Sequence, residues 1–283
     1  MLVSLATCRS YPEISESDAL LSVELSRRGH SVQALPWNAE LDARSGPVDL
    51  GDVVVLRSNW DYHEHLRHFE GWIRGVDASD GLLVNALPLV EWNLRKSYLV
   101  DLAVRGAPVP HTTLVAESDD VDVPSWVRAD QPVVIKPQVG ASGAGVELVE
   151  PDAVADALRT MQTPGGLVIQ DFVADIGDGE WALVFFGGDY SHAFQRVPAA
   201  GEFRINKKFG GTVRPGEPDQ ALKDLARDVL MLLPAAPAYA RVDLMVTAQG
   251  PVLMEVEVNE PSLRLDLHPD APKRFADAVL DLT

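Results

Sequence analysis

The amino-acid sequence predicts an α/β fold in which an open parallel α/β domain at the N-terminus precedes an α+β region of two parts. In the first part, short apolar strands alternate with helical patterns, which is typical of a parallel sheet covered by helices. Later strands come in pairs joined by short glycine-containing turns, which is typical of antiparallel hairpins. We place the three parts at residues 1–92, 93–168 and 169–283.

The N-terminal part contains four predicted strands and two predicted helices. The segment from Ser15 to Arg28 carries apolar residues at nearly helical spacing, and Gly29 follows it as a suitable helix C-cap. The strands are short and apolar, as expected for strands buried on both faces. In chain order the elements are strand 2–6, helix 15–28, strands 31–35 and 52–56, helix 65–76 and strand 82–85.

The middle part begins with a predicted helix at 91–105, which ends at Gly106. Pro108 and Pro110 then favour an extended chain. A strand at 133–137 leads into a glycine-rich loop at 138–146. The remaining elements of this part are strand 146–149, helix 151–161 and strand 167–172.

The last part contains two predicted hairpins. Gly187-Gly188-Asp189 separates the strands 181–186 and 191–196, and Gln249-Gly250 separates the strands 241–246 and 252–258. Helices are predicted at 219–233 and at 273–280.

The composition excludes several classes of function. The chain has 283 residues, with 24 Lys and Arg against 42 Asp and Glu, which gives a net charge of −18. Such a charge disfavours nucleic acid and anionic membranes as partners. No apolar stretch is long enough to cross a membrane, and the first residues lack a basic leader. The single cysteine, Cys8, allows no internal disulfide, so we expect a cytoplasmic protein. The acidic stretch 117–122 is expected to be a solvated loop.

A lysine followed by a glycine-rich loop is the first pattern that indicates chemistry. Lys136 ends a predicted strand, and the next residues include Gly140-Ala141-Ser142-Gly143-Ala144-Gly145. Small residues let backbone N–H groups approach an anion, and the lysine adds a positive charge. The order differs from that of a P-loop, in which the lysine follows the glycines. The alternative is a purely structural glycine hairpin.

A pair of acidic strands is the second pattern. Alternation places Glu255, Glu257 and Asn259 on one face, and Asp243 lies on the neighbouring strand of the predicted hairpin. Converging oxygen ligands of this kind suit Mg²⁺, with phosphates completing its coordination. The alternative is an amphipathic hairpin with a solvated acidic face.

A basic segment in this acidic protein is the third pattern. Residues 196–214 contain five of the 24 basic residues and one acid, Glu202. Glycines flank the segment and would let it close over a triphosphate or a substrate carboxylate. The alternative is a chance accumulation of surface charge.

These patterns occur along the chain in the order found in the ATP-grasp superfamily, which this sequence resembles over essentially its whole length. The matching pieces are Lys96, the strand 133–137 with its loop, the strand 167–170, Arg204-Ile205-Asn206, Asp243 and Glu257-Val258-Asn259. The chain is most similar to glutathione-synthetase-like ligases, and especially to the D-cycloserine-forming O-ureido-D-serine cyclo-ligase group. The segments that carry this closer resemblance are 56–62, 91–99, 179–185, 191–194 and 260–263.

The resemblance implies ATP and Mg²⁺ as cofactors, with two ions expected, and it implies a two-part ATP-grasp fold after the N-terminal domain. Lys96 and Lys136 would contact the phosphates, and Glu180 would contact the ribose. Arg204 would stabilise the transferring phosphoryl group, with Arg196 as a second candidate. The lid would include Gly140, Ser142, Gly143 and Gly145, the adenine site Gln170, Asp171, Phe172 and Val173, and the metal site Asp243, Glu257 and Asn259.

The metal site departs from the usual pattern, because Glu260-Pro261-Ser262 follows Asn259 at once. Glu255 or Glu260 could therefore replace Asn259 as a ligand.

The substrate site is expected at the carboxyl end of the strand 52–56, because open α/β sheets bind ligands at that edge. The candidates there are Arg57, Ser58, Trp60, Asp61 and Tyr62. The alternative is a loop that only packs Trp60 on the core. His192 could act as a general base, although a histidine on a hairpin strand is more often a packing residue.

The implied reaction is ATP-dependent formation of a C–N bond through an acylphosphate on a small amino-acid-like carboxylate, as in the intramolecular cyclisation that forms D-cycloserine. The alternatives are an intermolecular carboxylate–amine ligase and a phosphotransferase on the same fold. A non-catalytic nucleotide-binding protein is disfavoured by the retained Lys136, Arg204 and acidic strand. The expected partner is a small-molecule substrate, and a homodimer is compatible with the resemblance.

Overall fold

The first sheet of the computed structural model is four-stranded and parallel. The structure describes residues 1–39, 49–117, 122–161 and 163–283. Its order is β2-β1-β3-β4. Ser15 caps the first helix, since its Oγ accepts a hydrogen bond from the Asp18 backbone N–H at 3.1 Å. The elements of this part are β1 (Leu2–Thr7), α1 (Glu16–Arg27), β2 (Ser31–Pro36), β3 (Val53–Leu56), α2 (Leu66–Asp77) and β4 (Leu82–Val84). The predicted N-terminal α/β domain fold is confirmed.

The single helix predicted at 91–105 is wrong, because the chain forms two short helices, α3 (Leu87–Asn93) and α4 (Tyr98–Val104). Between them, the backbone N–H of Lys96 donates to the Gln138 carbonyl at 2.8 Å and leaves the helical pattern. This break brings Lys96 beside the glycine-rich loop.

The second sheet is antiparallel, with the order β5-β8-β6-β7. Its first strand, β5, was not predicted and lies in the extended region after Pro110. The predicted division at residue 168 falls inside β8, so the sheet extends to Asp171. The elements are β5 (Thr112–Val115), β6 (Val133–Pro137), β7 (Glu147–Val149), α5 (Val154–Thr160) and β8 (Leu167–Asp171). Residues 118–121 of the predicted acidic loop lie outside the described residues.

The third sheet is antiparallel and five-stranded, with the order β11-β10-β9-β12-β13. Both predicted hairpins are present, whereas the edge strand β11 was not predicted. The elements are β9 (Glu180–Phe186), β10 (Asp189–Val197), β11 (Thr212–Gly216), α6 (Gln220–Met231), β12 (Tyr239–Thr247), β13 (Gly250–Glu257) and α7 (Ala271–Leu280).

The first and third sheets share a hydrophobic core. Leu5 and Leu25 of the N-terminal part pack in one buried cluster with Tyr239 and Phe275. Burial of this shared apolar surface fixes the N-terminal sheet against the third sheet. Among the described residues, no helix is both long and apolar enough to cross a membrane.

Candidate active site

A cleft of about 1360 Å³ lies where the second and third sheets face each other, and residues of the N-terminal part also line it. It brings together most of the residues that the sequence singled out. The predicted residues that line it are Arg57, Trp60, Tyr62, Lys96, Lys136, Gly140, Ser142, Gly143, Gln170, Asp171, Phe172, Val173, Glu180, Arg196, Arg204 and Glu257. The predicted residues that do not line it are Ser58, Asp61, Gly145, Asp243 and Asn259.

Ser58 and Asp61, which were predicted to bind substrate, are buried and do not line the cleft. The Asp61 carboxylate accepts hydrogen bonds from Trp37 Nε1 at 2.7 Å and from Asn38 Nδ2 at 2.9 Å. Such bonds to a buried carboxylate stabilise the fold. Asp61 is therefore a structural residue.

Arg57 borders the cleft, but its donors are already engaged. Its Nε pairs with Asp18 Oδ1 at 2.9 Å, and its Nη2 donates to the Pro261 carbonyl at 2.7 Å. Both charged side chains are almost fully buried. Arg57 thus ties the N-terminal part to the chain that follows β13.

Lys136 points from β6 toward β8. Its Nζ donates to Gln170 Oε1 at 3.0 Å, and Gln170 in turn donates to Thr112 Oγ1 at 2.9 Å. Burial, reinforced by the nearby charge of Lys96, lowers the pKa of Lys136 to about 8. A bound anion would remove the repulsion and favour the charged form.

Lys96 lies on the opposite side, in the break between α3 and α4. Its Nζ pairs with Glu255 Oε1 at 2.5 Å. Burial acts to lower the pKa of Lys96, but the Glu255 carboxylate prevails and raises it. Both lysines therefore lie near the glycine-rich loop, and Lys96 also contacts the Glu255 carboxylate.

The glycine-rich loop uses left-handed backbone conformations, with φ of +55° at Ser142, +70° at Gly143 and +67° at Gly145. A Cβ on Gly143 would lie 2.5 Å from Asn206 Oδ1. The loop therefore packs closely on the predicted basic segment, and both segments line the cleft.

Three carboxylates form the acidic end of the site. Asp243, Glu255 and Glu257 each offer an oxygen within 4.8 Å of the others. Asp243 lies on the strand next to the acidic strand, as predicted, and the register places it opposite Glu255. Asn259, which was predicted as a metal ligand, accepts a hydrogen bond from Asn59 through its Oδ1.

Two arginines cover these carboxylates. Arg241 forms two hydrogen bonds of 2.9 Å to Asp243 and also bonds Glu257, while Arg196 pairs with Asp243 and Glu180. Asp243 has no exposed surface as a result. Arg241 was not among the predicted site residues, although its position two residues before Asp243 puts it on the same strand face.

Burial is the main influence on the pKa values of two acids in this group. Burial raises the pKa of Glu257 to about 7 despite Arg241, and burial raises the pKa of Glu180 to about 7 despite Arg196. Against its own burial, Glu255 has a pKa lowered to about 2 by Lys96 and Lys136. Three carboxylates this close together offer hard oxygen donors that fit a divalent cation such as Mg²⁺.

Arg204 belongs to the basic segment and lines the cleft between aromatic rings. Its guanidinium lies 3.6 Å from the centroid of the Phe209 ring and pairs with Glu202 at 2.7 Å. On the other side, Phe203 meets Phe172 edge-on, with ring centroids 6.2 Å apart. The basic segment thus contacts the end of β8, where the adenine site was predicted.

His192 is a packing residue. Its Nε2 lies 2.8 Å from the Leu263 carbonyl and its Nδ1 lies 3.0 Å from Ser191 Oγ. Burial lowers the pKa of His192 to about 4, so the imidazole is neutral at physiological pH. The side chain does not line the cleft, which argues against a general base.

Known proteins resemble the chain over both of its halves. Residues 95–267 match the family described as "RimK-like ATP-grasp domain". Residues 3–85 match the family described as "D-cycloserine synthetase DcsG, N-terminal domain". The chain is 33% identical over 261 residues to the cycloserine biosynthesis protein DcsG of Streptomyces lavendulae, covering 85% of this chain and 87% of that protein. It is 31% identical over 162 residues to a probable alpha-L-glutamate ligase of Vibrio cholerae, covering 55% of this chain and 52% of that protein.

Solved structures show the same fold. The crystal structure of D-cycloserine synthetase DcsG superposes with a TM-score of 0.84 at 28% identity, covering 100% of this chain and 99% of that one. A RimK domain ATP-grasp protein from Sphaerobacter thermophilus superposes with a TM-score of 0.71 at 18% identity, covering 99% of this chain and 100% of that one. The second likeness concerns the fold alone.

Proposed function

Because this chain belongs to the RimK-like ATP-grasp family and is an ATP-dependent ligase, we propose that it joins an amine to a small amino-acid-like carboxylate through an acylphosphate. The observation that carries the proposal is one cleft in which two lysines and a glycine-rich loop lie next to a group of three carboxylates, with Lys96 paired directly to Glu255. A triphosphate needs cations around its oxygens, and a transferring phosphoryl group needs its charge stabilised.

The reaction begins with activation of the substrate carboxylate by ATP. A carboxylate oxygen attacks the γ-phosphorus, the bond to the bridging oxygen breaks, and ADP leaves. The amine nitrogen then attacks the acyl carbon and loses a proton, and phosphate leaves with one former carboxylate oxygen. Exclusion of water matters here, because water would hydrolyse the acylphosphate.

Lys96 and Lys136 are assigned to the phosphates, since both ammonium groups border the cleft beside the loop. Gly140, Ser142 and Gly143 bring backbone N–H groups to the same end, and the contact between Gly143 and Asn206 lets the loop shield the reacting groups. Gly145 is assigned to the shape of the loop, because a side chain at this position would meet the Pro137 ring.

The end of β8 is assigned to the base of the nucleotide. The cleft is bordered at the end of β8 by Gln170, Asp171, Phe172 and Val173. Glu180, at the start of β9, also borders the cleft. Glu180 is assigned to the ribose hydroxyls, which requires Arg196 to release it in part. Arg204 and Arg196 are the candidates for stabilising the transferring phosphoryl group.

Asp243, Glu255 and Glu257 would hold Mg²⁺, with Asn259 as a further ligand and two ions as the expected number. When bound, the ion would neutralise phosphate charge in the transition state. Arg241 lies between Asp243 and Glu257 and lines the cleft, so we assign it to the carboxylate oxygens of the substrate.

The likeness to DcsG supports cyclisation of a single substrate, and the likeness to glutamate ligases supports the intermolecular alternative. Trp60, Tyr62 and Arg57 form the wall where a small substrate would lie. The proposed division into an N-terminal domain, a lid-bearing part and a metal-bearing part puts this wall at the junction of the first and third parts.

Release of phosphate from ATP tests the proposal. The chain is incubated with ATP, Mg²⁺ and small amino acids, singly and in pairs and including O-ureido-D-serine. The product masses are measured by mass spectrometry. Phosphate release with loss of one water from a single substrate supports cyclisation. Release only with an acid and an amine together supports the intermolecular ligase. A stable phosphorylated product without free phosphate would contradict the ligase proposal and support a phosphotransferase.

A further inference from the structure

The segment after β3 contacts the segment after β13 through three hydrogen bonds, and Tyr239 of β12 bridges the ends of the two strands. Tyr239 Oη lies 2.9 Å from the Leu56 carbonyl and 2.8 Å from the Asn259 carbonyl. Arg57 donates to the Pro261 carbonyl, as described above. These bonds fix the backbone that leaves the acidic strand against the N-terminal sheet.

Side-chain contacts extend this attachment. Trp60 Nε1 donates to the Glu260 carbonyl at 3.4 Å, and Asn59 Nδ2 donates to Asn259 Oδ1 at 3.3 Å. The second contact joins residues that are 200 positions apart in the chain. It is the point at which the N-terminal part reaches a residue assigned to the metal site.

The Asn59–Asn259 contact is poorly explained by stability alone. Asn59 is 0% and Asn259 is 2% exposed. Within the described part of the chain, Asn59 Oδ1 and Asn259 Nδ2 have no hydrogen-bond partner. Buried unpaired polar atoms are costly, and an apolar pair of the same shape would avoid that cost.

A role in orienting Asn259 explains the pair. A side-chain amide oxygen has two lone pairs, so Asn259 Oδ1 can accept from Asn59 and still contact a cation. Groups that bind a metal are commonly held by an outer hydrogen-bond partner. We infer that Asn59 is a positioning residue, through which the N-terminal part orients the Asn259 amide at the cation site.

This inference rests on the proposed assignment of Asn259 to the metal, and it changes the expected role of the segment 57–61. Four of its residues, Arg57, Ser58, Trp60 and Asp61, were predicted with Tyr62 to bind substrate. Ser58 and Asp61 are instead buried, and Arg57 and Asn59 hold the exit of β13.

Direct binding of Mn²⁺ to the full chain, measured by electron paramagnetic resonance with ADP present, tests the inference without turnover. Asn59→Ala is expected to weaken Mn²⁺ binding by about tenfold to a hundredfold. The double variant with Asn259→Ala is expected to bind no more weakly than Asn259→Ala alone, because Asn59 acts through Asn259. Ser58→Ala is the matched control and should bind Mn²⁺ as the unaltered chain does.

Three outcomes separate the hypotheses. Additive losses in the double variant, or unchanged Mn²⁺ binding in Asn59→Ala, would overturn the positioning role and leave the proposed function intact. Unchanged binding in Asn259→Ala would overturn the inference together with that ligand assignment. Phosphate release from ATP is measured in parallel and reports on the ligase proposal itself. Should Asn59→Ala not fold, Asn59→Leu fills the space without a donor and carries the same expectation.

Discussion

The pH dependence of nucleotide affinity tests the phosphate role of Lys136. Burial and the charge of Lys96 lower the pKa of Lys136 to about 8 in the unliganded chain. A bound triphosphate favours the charged lysine, so binding above this pH must take up a proton. Affinity for ATP is therefore expected to fall as the pH rises through 8.

The size of the effect follows from the charged fraction. With a pKa of about 8, about three quarters of the Lys136 side chains are protonated at pH 7.5 and about one tenth at pH 9. If the neutral form contributes little to binding, the dissociation constant should rise about eightfold over this interval. The second ionisation of a phosphate group lies near pH 6, so the charge of the nucleotide changes little over the same range.

Isothermal titration calorimetry with Mg²⁺ and ATP, in buffers of different ionisation enthalpy, measures both the affinity and the proton uptake. Lys136→Arg is the matched control, because a guanidinium stays charged throughout and should flatten the dependence. Lys96, whose pKa is raised by Glu255, stays charged over the same interval. Constant affinity in the unaltered chain, or an equal loss in Lys136→Arg, would refute the reasoning.

Three further predictions concern stability and the loop. Asp243→Asn leaves two buried arginines facing a neutral amide, so urea denaturation should show a loss of about 3 to 5 kcal/mol in the free energy of unfolding; an unchanged midpoint would contradict the network. Gly143→Ala should raise the KM for ATP severalfold, whereas Gly140→Ala should not, because its Cβ would meet only ordinary contacts at 3.7 Å; equal kinetics in the two variants would argue against a packed lid. Asp61→Ala should lower the free energy of unfolding by about 2 kcal/mol through lost bonds such as that from Trp37, and a raised KM for the substrate would instead restore a binding role.

Much of the site could be read from local patterns. The two-residue period of β-strands places Asp243 and its neighbours Glu255 and Glu257 on shared faces, and the Gln249-Gly250 turn pairs the two strands. Lys136 followed by small residues indicates an anion site, because that combination depends on residue types close together in the chain. The missed Arg241 belongs to the same class, since its position on β12 follows from the alternation.

Other features depend on contacts between distant segments. The break between α3 and α4 arises because Lys96 bonds the backbone of the glycine-rich loop, although the local pattern favours one helix. The edge strand β5 pairs with the distant strand β8, and β11 pairs with β10 across the basic segment between them. The sequences of β5 and β11 themselves carry weak strand signals.

The sequence by itself determined the open parallel domain, the two hairpins and the residues on the acidic and basic faces, because periodicity and turn chemistry act over a few residues. Only the tertiary structure decided how these faces are used. Arg196 lies beside Asp243, Asn59 meets Asn259, and Asp61 turns into the core, since packing of the shared core brings segments together that no local pattern links. Charge neutralisation and burial, which set the pKa values of the site, follow from that packing.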